Sequence, residues 1–158
     1  MIKQVALLWE KNKDNLREAI KSGIVSAIQK EEYLGGSVDD YKKLIGAIIK
    51  YVFNDDDTDP QFNTKNIAEI DNGDYQGTLL FMFHVDTYQP SAYDYIVTTV
   101  DYGSCSGCDA LQGAFCCPTV DAIVDSLMSI CLHLCQHMKK PYLGGWYLED
   151  WDEECEWK

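Results

Sequence analysis

The chain has 158 residues, 46% of them hydrophobic and 12% aromatic. That composition excludes a disordered chain and is enough for one well-filled core. The formal net charge is −13, and it is unevenly placed: residues 1–50 carry nine Lys and Arg against seven acids, residues 51–158 four against nineteen. No Lys or Arg stands between Lys65 and Lys139, so a surface built from that stretch repels a nucleic-acid backbone and suits a basic protein partner.

The first residues, "MIKQVALLWEKNKDNLREAIK", hold one short apolar patch, then charges, and no small-residue cleavage site, so no signal peptide is expected. No run reaches the roughly 18 apolar residues of a membrane helix. Seven cysteines, an odd number, fit a reducing compartment better than a disulfide framework, and the cytoplasm is the expected location.

Asn15 to Gln29 places Leu16, Ala19, Ile20, Ile24, Ala27 and Ile28 at helical spacing, and "LGGS" ends that helix. Ser37 is a suitable N-cap for a second helix running to Phe53, with Asp39 and Asp40 in its first turn and a stripe of Tyr41, Leu44, Ile45, Ile48, Ile49 and Val52. "NDDDTDPQFNTK" is a loop. Asp55, Asp57 and Asp59 alternate as in a calcium loop, but Pro60 and Asn66 stand where such a loop needs Gly and Glu, so a solvated acidic turn is expected.

The period then changes. "NIAEI", "TLLFMFHV" and "YDYIVTTVDY" are β-prone runs separated by turn residues, and the run at 78–85 is apolar on both faces, which predicts cover on both. After Pro118 a long helix follows. Thr119 caps it, and Val124, Leu127, Met128, Cys131, Leu134, Cys135 and Met138 form its buried stripe. The fold class is therefore α+β: an antiparallel meander of about three strands packed with two N-terminal helices and one long C-terminal helix. A single domain, 1–158, is expected, closed by an acidic aromatic tail at 144–158.

Between the last strand and the final helix lies "VDYGSCSGCDALQG", with Cys105 and Cys108 in a C-x-x-C spacing. A zinc ion needs four ligands, so the pair is half a site, with Cys116 and Cys117 the best completion. His84 is expected at the other end of the hairpin, out of reach. His133 and His137 lack the Glu of the H-E-x-x-H motif and read as a solvated face. A thioredoxin-type redox reading lacks the parallel crossover, and Asp109 beside the pair is expected to raise the thiol pKa. The simplest reading is a Gly-rich turn whose small residues allow close packing, with the cysteines partly buried; its functional version is a binding loop with Asp101, Tyr102, Ser104, Ser106 and Asp109 as binding residues. Backbone amides of Gly103, Ser104, Ser106 and Gly107 line it. No P-loop, G-x-S-x-G or G-x-G-x-x-G is present, and no catalytic residue is assigned.

Tyr88 to Pro90, Tyr93 to Tyr95 and Asp101 to Asp109 together carry a Y-Q-P, a tyrosine-rich strand and a D-Y-G-S-C-S-G-C-D run. In this the C-terminal half resembles a group of uncharacterised proteins encoded by bacteriophages and prophages. The resemblance implies a phage origin, hence the host-cell cytoplasm, and no established activity. It favours a non-enzymatic acidic protein that binds and antagonises a host factor with a basic surface, as a nucleic-acid mimic. The segments Asp55–Asp59 and Glu149–Glu156 would supply charge, and Trp146, Trp151 and Trp157 the anchors. No cofactor is expected, zinc at Cys105 and Cys108 being the exception to test. Neither direct nucleic-acid nor membrane binding is expected, and a homodimer is compatible with the sequence. The alternatives are a small zinc- or thiol-dependent enzyme using Cys105 and Cys108, a sponge for a nucleotide signal, and a virion-associated structural protein.

Overall fold

The computed structural model describes residues 2–32 and 38–141. The expected cap Ser37 and the whole tail with Trp146, Trp151 and Trp157 lie outside these residues. Helix α1 spans Ile2–Gln29 and α2 spans Val38–Ile48, continued by a π-helical turn at Ile49–Phe53. Strands β1 (Ala68–Asp71), β2 (Gly77–His84) and β3 (Tyr95–Tyr102) form one antiparallel sheet in the order β1-β2-β3. A short helix α3 (Ala110–Phe115) and the long α4 (Val120–Gln136) follow. This is the α+β meander with flanking helices that the sequence predicts. Among the described residues, no helix is long and apolar enough to cross a membrane.

Helix α1 starts thirteen residues before the predicted Asn15. The apolar stripe continues backward through Trp9, Leu8 and Val5, so the front turns are held by packing. A polar residue hides this in the sequence. Asn12 sits on the buried face, and its amide donates to the Val52 carbonyl at 2.9 Å and to Asp55 at 3.2 Å. In the π turn the Asn54 N–H bonds back five residues to the Ile49 carbonyl at 2.9 Å, and Ile49, Val52 and Phe53 are all buried there. Asn12 thus satisfies a carbonyl at a helix end that is otherwise enclosed. At the other end α1 stops at Gln29, where the predicted helix ends, and Ile28 in its last turn is 48% exposed.

Asp55 accepts from Lys11 at 2.7 Å and from Thr58 at 2.6 Å, so the acidic turn is tied to α1 and only part of it is free. The Lys11 ammonium, then Thr58 and Asn12, hold the Asp55 carboxyl well below the usual carboxylate range. A depressed carboxyl stabilises the fold above its unfolded pKa and loses that contribution as pH falls through its folded value. Asp55→Asn is therefore expected to cost about 1 kcal/mol near neutral pH. The gap to wild type should close as the pH drops below about 4. Urea titrations at several pH values check this.

Register sets the two faces of the sheet. Leu79 pairs with Val100, Phe81 with Thr98 and Phe83 with Ile96, and these side chains are buried on the side that faces the helices. Thr98 Oγ1 donates to the Leu134 carbonyl of α4 at 2.7 Å. On the other face Leu80 and Met82 are half-buried and Ile70 is 59% exposed. The double cover expected there is thus incomplete among the described residues. β1 is a four-residue edge strand that puts only Ala68 and Ile70 on that face, its Glu69 and Asp71 standing on the side of Phe81 and Leu79. Thr119 caps α4 by accepting from the Ala122 N–H, as predicted, and Cys131 and Cys135 lie in the core. Burial pushes both thiols up, that of Cys135 to about 12, which leaves them as inert small hydrophobes.

Candidate functional site

β3 ends at Tyr102, and the chain must then turn to enter α3. Asp109 organises that turn from inside. Its carboxylate is buried and accepts from the Gln112 N–H at 2.8 Å, which makes it the N-cap of α3. It also accepts from the Gly103 N–H at 3.1 Å and from the Tyr41 hydroxyl at 3.4 Å. Tyr41 comes from α2 and is itself buried, and its oxygen accepts from the Leu111 N–H at 3.4 Å. Burial first, and then the Asp109 charge, push the Tyr41 phenol up and keep it a neutral donor. Gln112 closes the loop by donating its side-chain amide to the Gly103 carbonyl at 3.2 Å.

Within this clamp the segment Cys105–Cys108 forms a tight turn. The N–H groups of Cys108 and Asp109 both donate to the Cys105 carbonyl, at 3.0 and 2.9 Å. The two Sγ atoms are 2.7 Å apart, and both cysteines are exposed. Gly103 is required beneath them. A Cβ there would stand 2.5 Å from the Cys108 carbonyl oxygen and 2.7 Å from its Sγ. Contrary to the sequence expectation, Asp109 does not raise the adjacent thiol. The Cys108 thiol is lowered, first by its hydrogen bond with Cys105 and also by backbone N–H groups of Cys105 and Ser104. The reason is direction: the Asp109 carboxylate points inward to Tyr41 and Gly103.

The predicted binding residues therefore divide. Ser104, Ser106 and Asp101 are exposed. Tyr102 and Asp109 are buried, and both turn inward. The Tyr102 hydroxyl donates to Asp71 at 2.8 Å, and that carboxylate pushes the phenol up to about 12. Cys116 and Cys117 do not join Cys105 and Cys108. Cys117 Sγ lies 3.5 Å from Ser126 Oγ, and among the described residues no group of three or more His, Cys, Asp and Glu is gathered to hold a metal. His84 lies across from Tyr95, at the far end of the hairpin from the Gly77–Tyr102 pair, as expected.

Two features escape the sequence reading. A groove of about 520 Å³ runs beside the loop between β3, α3 and α4. Small residues, Ala110, Gly113, Ala114, Ser126 and Ser129, form much of its lining, with Asp101 and His133 as polar groups. The three- and four-residue spacing of small residues on both helices was the available signal. The second feature is the acidic end of the sheet. Asp71, Asp74 and Asp101 are exposed around the β1–β2 turn and the end of β3, beside Tyr75, which is 84% exposed. No protein-family profile, no curated protein and no solved structure matches this chain.

Proposed function

We propose that this is a non-enzymatic binding protein that engages a basic surface of a host factor and blocks it. The observation that carries this reading is the disposition of charge. Residues 66–138 contain no Lys or Arg and build the whole sheet, the cysteine loop, α3 and α4. The cations that reach this acidic half from α1 are already engaged: Lys21 pairs with Asp121 at 2.9 Å, and Arg17 pairs with Asp125. Lys11 and Lys43 are likewise paired, with Asp55 and Asp40. The end of the sheet, with Asp71, Asp74, Asp101 and the exposed Tyr75, keeps its negative charge. An aromatic ring among carboxylates suits an arginine-rich surface, which takes both ion pairs and stacking.

Immobilised protein incubated with host extract tests this. Retention of a partner should fall steeply between about 50 and 300 mM salt, since exposed charges are screened over a Debye length of about 10 Å or less in that range. Double-stranded DNA should compete for the same partner. Asp74→Asn with Asp101→Asn and Tyr75→Ala should weaken retention without changing the helical circular dichroism signal. A partner held equally at all salt concentrations, and unmoved by the triple variant, would sink the reading.

A further inference from the structure

We infer that Cys105 and Cys108 form a two-electron thiol–disulfide exchange site whose reaction partner is a small dialkyl disulfide of the glutathione type. The inference is independent of the binding reading above. It rests on the backbone first. The bond from the Cys108 N–H to the Cys105 carbonyl at 3.0 Å closes a four-residue turn. Such a turn brings its end Cα atoms within about 7 Å, the range in which two cysteines can be bridged without moving the chain. The sulfurs already touch, and both open to solvent, where a small disulfide can reach them.

The turn is also held from below. Asp109, Tyr41, Gln112 and Gly103 fix both of its ends from within the core, so the thiols are positioned before any reaction. The two sulfurs are not equivalent. The Cys105 N–H points at Cys108 Sγ at 3.2 Å, and this donor favours negative charge on Cys108. Cys108 is therefore the attacking thiolate and Cys105 the resolving thiol. Among the described residues, Cys117 faces Ser126 and Cys131 and Cys135 are buried, so these three are poorly placed to intrude.

The chemistry balances. The Cys108 thiolate attacks one sulfur of the small disulfide. A bond forms to Cys108 Sγ, the original S–S bond breaks, and one small thiolate leaves. Cys105 loses its proton to solvent and attacks Cys108 Sγ, forming the Cys105–Cys108 bond and expelling the second small thiolate. Two protein thiols and one small disulfide become one protein disulfide and two small thiols, with two electrons passing to the small molecule.

The full chain, reduced and then equilibrated in mixtures of glutathione and glutathione disulfide, tests this by acid quench, alkylation and peptide mass. A Cys105–Cys108 disulfide should appear and disappear reversibly with the ratio. In the reduced protein Cys108 should alkylate several-fold faster than Cys105 near neutral pH. Cys105→Ser should halt the reaction at one glutathione on Cys108, with unchanged circular dichroism. If both loop thiols stay alkylatable at every ratio, or the bond forms instead to Cys116 or Cys117, the assignment is wrong. Equal alkylation rates with no trapped glutathione on Cys108 overturn it as well, and the wild-type equilibrium decides the matter alone if the variant folds poorly.

Discussion

Asp109→Ala is expected to lower the free energy of unfolding by about 3 kcal/mol. The estimate has separate parts. Loss of the N-cap of α3 costs about 1 kcal/mol. The Gly103 N–H and the Tyr41 hydroxyl are then left buried without their acceptor, at about 1–3 kcal/mol each before the loop relaxes. Asp109→Asn keeps one acceptor oxygen but turns an amide N–H₂ toward groups that also donate, so it should fall between wild type and the alanine variant. Urea unfolding measures the order through the midpoint, with the slope unchanged. The alanine variant should also loosen the cysteine turn, so the contrast in alkylation rate between Cys105 and Cys108 should shrink. A cost below about 0.5 kcal/mol, the range of an ordinary surface change, would show that the carboxylate is not what holds this loop.

Phe83→Ala should be costlier still, about 4 kcal/mol. Phe83 is fully buried and meets two other rings, Phe53 stacked at 6.5 Å and Phe62 edge-on at 5.6 Å. The π turn delivers Phe53 and the loop after the acidic turn delivers Phe62, so this cluster joins α2, the loop and the sheet. Phe83→Leu keeps most of the volume and should cost less than about 1.5 kcal/mol. Combining Phe83→Ala with Phe62→Ala should give a sum short of additivity by about 1 kcal/mol, the worth of an edge-to-face pair. The cluster lies toward the His84 end of β2, away from the acidic end, so the folded fraction of Phe83→Ala should still bind the basic partner normally.

How much of this was legible follows from where each element's partners lie. α4 carries its own signals, with Thr119 at its cap, Asp121 in its first turn and an unbroken stripe, and the structure agrees with each. The meander was legible because three β-prone runs are set off by local turn residues. The first half of α1 was not, because Asn12 interrupts the stripe and its partner, the Val52 carbonyl, is 40 residues away. α3 was missed for a similar reason. "ALQGAF" is too short to nucleate a helix alone, and it forms because Asp109 caps it and Tyr41, 68 residues earlier, anchors that cap. The cysteine turn announced itself through its small residues and C-x-x-C spacing. That Asp109 and Tyr102 serve as supports is decided by Tyr41 and Asp71, and no local pattern contains that information. The groove needs three elements to exist, and the small-residue spacing on α3 and α4 is its one trace within a single element.

The ion pairs between α1 and α4 have a consequence for synthesis. Arg17 and Asp125 are 108 positions apart, and Lys21 and Asp121 are 100 apart. Helix α1 therefore packs on a helix made about a hundred residues later. At about 5–20 residues per second, the part of α1 that packs on α4 waits several seconds or more for it, while the part against the Ile49–Phe53 turn is covered sooner. Contacts closed over such a sequence separation slow folding, because the loop entropy is lost before the contact forms. The charges along α1 then serve the nascent chain too, since Lys11, Lys13, Arg17 and Lys21 keep a helix with an uncovered apolar side in solution until its neighbour arrives.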